Sequence, residues 1–339
     1  MKIIKYNKNL ENNYNNFLNS MKNSMFYHSL KYKFFLEKLL NVESDYFILW
    51  DNYKIKGVLP LFYKDGKYGR IYNSLPFYGS NGGIIATDTN SANILIEKYL
   101  EIVRNDNIAG STLIETPIAN IDYSNLIFNE SDYRIGQWTE LDYKENIEES
   151  IMNSFESSAR RNVRKAIKEN VTVEIDNTQI DFLYETHYEN ITSIGGKAKN
   201  KNFFELIDKH FVKEKDYNIY IAKLGDKTIG ALLLFYFKDT VEYFTPAIVN
   251  EYRNLQALPL IIYQAMVDSS KNGYKNWNWG GTWITQEGVM KFKRKFGAVD
   301  KKYKYFIKIN NQDIYNSSKE ELLSEYDNFY VIPFDKLKG

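Results

Sequence analysis

The 339-residue chain has no cysteine, which removes disulfides, thiolate nucleophiles and thiolate metal sites together. Histidine is nearly as scarce. His28, His187 and His210 are scattered without paired spacing, so no metal is expected. No histidine is placed to activate a serine, and there is no GxSxG turn, so a nucleophilic mechanism has little support. Excess charge is also missing. With a net charge of +1 the protein is not coated in cation for binding nucleic acid, and any anion site must come from local clustering. The longest apolar run, Ile229 to Phe237, is too short to span a bilayer, and residues 1–20 are polar with no signal-peptide core. A cytoplasmic protein with no membrane span is expected.

What is present concentrates in residues 274–297, YKNWNWGGTWITQEGVMKFKRKFG. Tyr274 to Trp279 alternates as a strand does, Gly280 and Gly281 allow a turn or the close approach of a ligand, and a basic helix of about three turns follows. On a helical wheel Val289, Phe292 and Phe296 share one face, with Lys291, Arg294 and Lys295 well away from it. Lys293 falls beside the apolar stripe, so its ammonium is expected at the edge of whatever the stripe packs against. The plain alternative is a solvated helix with one snorkelling lysine.

The rest of the chain reads as one plan used twice. In the first half, after a strand at 2–5 and helices near 11–21 and 29–40, Tyr46 to Trp50 and Ile55 to Tyr63 form a hairpin, with Gly57 and Pro60 marking a bulge or an edge. A strand at 69–74 runs into LPFYGSNGGII, a loop that can aim several backbone N–H groups at a ligand, or simply turn the chain. Helix 91–105 and strands 112–116 and 134–141 follow. In the second half Tyr217 to Lys223 and Thr228 to Phe237 form the hairpin, and helix 259–272 and strand 274–279 repeat the order. Hairpins mixed with crossover helices predict an α/β protein with mixed sheets, in two similar units joined near residue 145.

Between them lies the helix in FESSARRNVRKAIKENVTVEI, residues 155–175. Phe155, Ala159, Val163, Ala166 and Ile167 cover one side, and Arg160, Arg161, Arg164, Lys165 and Lys168 the other. A second run, Lys291, Lys293, Arg294, Lys295, Lys301, Lys302 and Lys304, faces Asp300 alone. Two such clusters in a nearly neutral chain make phosphate the first ligand to try, against the default of solvated amphipathic faces.

ARRNVRKAIKENVTVEI, the repeated plan, LPFYGSNGG, and WNWGG followed by MKFKRKFG together resemble the FemAB-like transferases, among them the peptidoglycan-bridge aminoacyltransferases and acetyltransferase-like proteins of polysaccharide clusters. FYHSLKYKFFLEKL at 26–39 is similar to the family's opening helix. The resemblance spans nearly the whole chain. It implies two tandem Gcn5-related N-acetyltransferase-like domains, 1–145 (completed by 314–339 where the last residues return) and 146–313. It also implies a cell-wall precursor or nucleotide-linked sugar as acceptor, and acetyl-coenzyme A or aminoacyl-tRNA as acyl donor, with no tightly bound cofactor. Phe292 and Lys293 match the family's PheLys pair, whose lysine is thought to steady the negative charge formed as the acyl carbonyl is attacked, and Lys293 is therefore the candidate catalytic residue. Candidate substrate contacts are Arg160, Arg161, Arg164, Tyr78, Asn81, Trp279, Gly280, Gly281, Phe292 and Arg294.

The sequence departs from the fold's usual coenzyme A loop. Where a basic or amide residue should lead into small residues before a helix, it reads RNLQALP, 253–259: Arg253 fits, but Gln256 and Leu258 stand where the small residues belong. Arg253 and Gln256 remain the candidate donor contacts, and Pro259 suits a first helical turn. Three readings stand: an N-acyltransferase acting on an amine of an envelope precursor, an acetyl-coenzyme A-dependent enzyme acting on a small metabolite, and a non-catalytic relative that binds glycan or RNA. Glu115 and Glu287 are the candidate bases.

Overall fold

The computed structural model describes residues 1–77 and 79–338. The chain divides into two units, one made of Met1–Ile135 with Lys302–Gly339, the other of Gly136–Lys301. The first unit contains β1 (Lys2–Lys5), α1 (Glu11–Ser20), α2 (Leu30–Leu40), β2 (Glu43–Ser44), β3 (Phe47–Asp51), β4 (Lys54–Leu59), β5 (Phe62–Gly66), β6 (Gly69–Asn73), β7 (Ile85–Ala86), α3 (Thr89–Val103) and β8 (Ile108–Ile114). Strand β9 (Glu130–Glu140) leads into the second unit, which holds α4 (Ile147–Ser154), α5 (Ser157–Lys168), β10 (Val171–Ile175), α6 (Ile180–Thr192), α7 (Lys201–His210), β11 (Tyr217–Leu224), β12 (Lys227–Phe237), β13 (Thr240–Ile248), α8 (Ala257–Lys271), β14 (Asn276–Trp283) and α9 (Glu287–Arg294). Strand β15 (Val299–Ile309) leads back, and α10 (Lys319–Glu325) belongs to the closing segment.

Both units contain the expected mixed sheets. In the first, β6 runs parallel to β8 across the crossover helix α3, while β5 and β15 flank the pair antiparallel. In the second, β10 to β13 are antiparallel and β13 runs parallel to β14 across α8. This is the antiparallel-then-parallel order of the Gcn5-related N-acetyltransferase fold, present twice. The segment expected as one strand from Ile55 to Tyr63 is two strands in different sheets. Pro60 has no N–H to give a ladder, so β4 stops at Leu59 and β5 begins again at Phe62.

The second unit's core explains its helices. α5 buries Ala159, Val163 and Ala166 on one face and leaves Arg161, Arg164, Lys165 and Lys168 in water. α8 is apolar nearly all round, burying Leu260, Ile261, Ile262, Ala265 and Met266 against β11, β12 and β13. The sequence reading passed over α6 and α7; α7 is capped at its N-terminus by Asn200, whose side chain accepts from the Phe203 N–H at 3.0 Å.

In the first unit the closing segment lies against β6 and β8. The buried Asn73 side chain donates to Tyr330 O (2.9 Å) and accepts from Tyr330 N–H (2.7 Å), while the Thr112 hydroxyl donates to the same carbonyl (2.8 Å). Tyr326, fully buried, donates to Gly69 O at 2.8 Å.

Candidate functional site

Strands β13 and β14 are registered over three pairs only. These are Thr240 with Asn276, Val241 with Trp277, and Glu242 with Asn278; beyond that pair no register joins the two strands. A bulge between Leu233 and Leu234 places Tyr243 and Thr245 opposite neighbouring residues of β12 and leaves Phe244 over, which bends β13 at the point where the register with β14 ends. Aromatic rings fill the start of this fork: Tyr243 lies 4.8 Å from Trp279, Trp279 5.7 Å from Phe296, and Phe292 5.1 Å from Phe296. The Trp279 indole N–H donates to the Thr139 hydroxyl at 2.9 Å, which fixes the ring.

Further along β13 is a cavity of about 530 Å³, lined by Pro246, Ala247 and Ile248, by Ala159 and Asn162 of α5, by Asn190, Ile191 and Ile194 after the middle of α6, by Phe292, Lys295 and Phe296, and by Arg253 to Pro259 in part. Its walls are mostly apolar. Of its polar groups, Arg253 and Gln256 stand at the start of α8, where the first N–H groups of a helix lack partners within the helix, and Lys295 also lines the cavity. Gln256 takes the left-handed conformation there, φ +61°, and its N–H bonds to Arg253 O at 3.2 Å. The tight turn that glycine usually makes before such a helix is therefore formed without glycine, at the steric cost a β-carbon carries in that region. Leu258 is half-buried in the cavity wall. A cavity with an apolar body and a helix start at one end suits a ligand with an apolar arm and an anionic group.

Lys293 sits differently from its expected place at an edge. It is 6% exposed, and its ammonium donates to the Thr282 hydroxyl of β14 at 2.7 Å. Burial lowers its pKa to about 8, opposed by the charge of Asp300. Met290 and Lys293 form the inward face of α9, while Val289, expected in the apolar stripe, is 44% exposed. Arg294 is exposed and ion-paired with Asp300, and Lys291 pairs with Glu287 at 3.0 Å. Gly280 has φ +73°, donates its N–H to Asn278 Oδ1 at 2.9 Å, and has open space where a β-carbon would stand. Gly281 is exposed at the same corner.

The structure thus brings Arg253, Gln256 and Phe292 around one cavity, with Lys293, Trp279 and Gly280 on the elements beside it. The other candidates are placed elsewhere. Arg160 donates to Phe155 O at 2.6 Å, and Arg161 and Arg164 are exposed on the outer face of α5. Of the second basic run, Lys301 lies over Trp138 (5.5 Å) and Lys302 over Tyr133 (3.9 Å), each held on an aromatic face. Asn81 belongs to the first unit, buried and at φ +105°, with its Nδ2 donating to Ser80 at 3.3 Å. Tyr78 lies outside the described residues. Of the two candidate bases, Glu287 is exposed and its pKa is lowered by Lys291, whereas Glu115 is half-buried, accepts from the Lys304 N–H at 2.9 Å and has its pKa raised by burial.

Residues near the fork that sequence reasoning missed include Glu242, Asn278 and Thr282 on the strands. On the helices over β13 it missed His187 and, ahead of α7, Lys199. The Lys199 ammonium lies over Phe203 (5.8 Å) and Phe244 (5.4 Å), and desolvation lowers its pKa to about 8. His187 accepts from the Lys199 N–H at 3.2 Å, and burial lowers its pKa to about 4, so its ring is neutral. The spacing Leu183, Thr186, His187 and Asn190 is a helical stripe that could have revealed α6.

Residues 174–316 match the model of the FemAB family. No curated protein matches the chain in sequence. Among solved structures, FemX is 14% identical, with a TM-score of 0.68, covering 93% of this chain and 99% of its own. An acetyltransferase of the GNAT family from Colwellia psychrerythraea is 10% identical, with a TM-score of 0.53 over 91% of this chain and 100% of its own. A tandem GNAT protein from the clavulanic acid biosynthesis pathway is 9% identical, with a TM-score of 0.52 over 91% and 98%. No helix among the described residues is long and apolar enough to cross a membrane. Residues 174–316 thus carry a match to the FemAB family, and the chain has the fold of tandem Gcn5-related N-acetyltransferases.

Proposed function

We propose that this protein is an N-acyltransferase of FemAB type, moving an acyl or aminoacyl group from a thioester or ester donor to an amine of a cell-envelope precursor. The observation that carries the reading is a buried, desolvated lysine beside an apolar cavity at a strand fork, in the segment that matches the family. The donor's apolar arm enters the cavity and its anionic group meets Arg253 and the start of α8. When an amine attacks the carbonyl, the oxygen gains a full negative charge. An ammonium held out of bulk water stabilises that charge far more than one in solvent, and with its pKa near 8 Lys293 keeps most of its proton at neutral pH. Holding amine and carbonyl in line contributes the remainder.

The turn at Gln256 favours a second reading, acetyl-coenzyme A as donor, because the conformation of a phosphate-binding turn survives there without its glycine. Thermal shift separates the two, since a ligand that binds only the folded state raises the melting point. Aminoacyl-tRNA or a nucleotide-linked amino sugar is expected to stabilise the protein, and stabilisation by acetyl-coenzyme A alone would favour the second reading. With the donor in hand, Lys293→Ala is expected to lower kcat by about 10²- to 10³-fold with little change in KM. Full turnover in that variant would remove Lys293 from the chemistry, and absence of turnover in the wild type with every donor would favour a binding protein.

A further inference from the structure

A second cavity of about 620 Å³ opens in the second unit at the end of α8 remote from the transfer cavity. Asp268, in its wall, lies eleven residues past Ala257, about 16 Å along the helix. Three tyrosine rings, Tyr220, Tyr236 and Tyr274, line the same space with Asp268 and Glu214. Tyr220 and Tyr236 are 2% and 8% exposed, and the Tyr236 ring lies 5.0 Å from that of Tyr274. Elsewhere the chain lays its own cations on tyrosine, as Lys302 does on Tyr133 (3.9 Å) and Lys227 on Tyr252 (4.8 Å). Among the described residues none lies over the three rings of this cavity. Asp268 stands in the last turn of α8, where the negative end of the helix dipole disfavours an acid. Its oxygens accept from two neutral donors, Gln264 Nε2 at 2.8 Å and the Tyr220 hydroxyl at 3.2 Å. A carboxylate has about four acceptor sites, so about two are left. Lys271, which also lines the cavity, is ion-paired with Glu148 at 2.5 Å. Glu214 is exposed, makes no ion pair among the described residues, and takes the left-handed conformation at φ +64°, where a β-carbon is strained. Two carboxylates, the carbonyl end of a helix and three ring faces thus set a negative potential around one space, and the lysine in its wall is drawn to another acid.

We propose that this cavity binds an alkylammonium group, with its N–H groups on the spare acceptor sites of Asp268, its charge shared with Glu214, and its carbon arm along Tyr236 and Tyr274. Tyrosine suits both parts of such a ligand, since its face attracts a cation and covers apolar carbon. A neutral alcohol leaves the charge of Asp268 uncompensated, and an anion meets it directly. The site is separate from acyl transfer: it uses neither Lys293 nor the turn at Gln256, and it gives the second unit a ligand besides donor and acceptor. A free amine and the lysyl side chain of a peptide present the same group, an ammonium on an alkyl arm, and either source fits the chemistry of the cavity.

Butylammonium, titrated into the full-length protein while the Asn272 and Tyr274 amide resonances are followed, tests the site without turnover. Saturable shifts are expected there in the wild type. Affinity should fall about tenfold in Asp268→Asn and about threefold in Glu214→Gln, whose exposed side chain can change without loss of the fold. Butanol, which has the same shape and no charge, should bind at least about tenfold more weakly. The same titration with Nα-acetyl-lysine methylamide separates the sources: tighter binding than butylammonium identifies a lysyl side chain, and equal or weaker binding a free amine. No saturable shift in the wild type overturns the proposal, as does butanol binding as well as the cation. Unchanged affinity in Glu214→Gln and in Asp268→Asn overturns it too, and if Asp268→Asn fails to fold, Glu214→Gln and the butanol comparison decide. Shifts centred on Gln256 and Leu258 would place the cation in the transfer cavity and equally sink the idea. Each of these results leaves the acyl-transfer reading standing, because that reading is decided by the donor and by Lys293.

Discussion

Lys293 is held in a state its own solvation opposes. An ammonium that is 6% exposed, with a hydroxyl as its hydrogen-bond partner, costs the fold stability as long as it stays protonated. Its folded pKa, about 8, lies below the ordinary lysine value of 10.5, so between those two values the unfolded chain binds more protons than the native one. Stability therefore rises as pH climbs through that window, and the full penalty applies below pH 8. A shift of this size corresponds to about 3 kcal/mol, and orphaning the Thr282 hydroxyl offsets part of it. Lys293→Met is expected to be more stable than the wild type by about 1 kcal/mol at pH 7, with the advantage gone by pH 10.5. Urea melts of both proteins at the two pH values check this, and comparing them cancels the parallel contribution of Lys199. A residue that costs stability where a methionine would not is what an active site retains for its chemistry.

At the scale of elements, the closing segment is tied to the first unit by buried side chains and by hydrogen bonds from Asn73, Thr112, Tyr326 and Lys67 among others. The Asn73 side chain makes two hydrogen bonds to the Tyr330 backbone and one to Tyr72 O, all from a fully buried amide. Asn73→Ala should cost about 2–3 kcal/mol and speed exchange of the Tyr330 amide at least tenfold, as read by hydrogen exchange. The crossover helix α8 was legible because its pattern is local and lies within two residues of where hydrophobic spacing placed it, whereas β14 starts two residues late and runs through Gly280 and Gly281 to Trp283, four residues past its expected end. The rotation of α9 was not legible. The stripe Val289, Phe292 and Phe296 extends a helical wheel past the end of the helix at Arg294, and once Phe296 is left out the inward pair is Met290 with Lys293. Glu242 was invisible for the opposite reason. It is buried in a pair with Asn278, 36 residues away, and a lone glutamate inside an apolar strand carries no local sign of that. The left-handed turn at Gln256 was likewise hidden, because residue identity argued for glycine while the surrounding contacts set the backbone.

At the scale of the whole molecule, the family match ends at residue 316, but the first unit does not. Tyr326, Phe329, Val331 and Ile332 are all buried beyond that point, and the Tyr326 ring lies where a side chain at Gly66 would have to go. A chain ending at Asn316 should keep the second unit's amide protection while the first unit loses its own. Hydrogen exchange mapped over the two units reads this directly, and retained protection throughout residues 1–135 would show the closing segment to be dispensable.

Because the second unit is continuous in the chain and the first is split around it, the order of synthesis matters. A ribosome adding roughly 5–20 residues per second finishes Lys301 while the first unit still lacks its last 38 residues, and that unit has then waited on the order of ten seconds or more since Ile135 emerged. During that interval the buried side of Asn73 and Thr112 has no Tyr330 to cover it. The half of the protein made first is completed last, and it is the half expected to stay open to aggregation longest during synthesis.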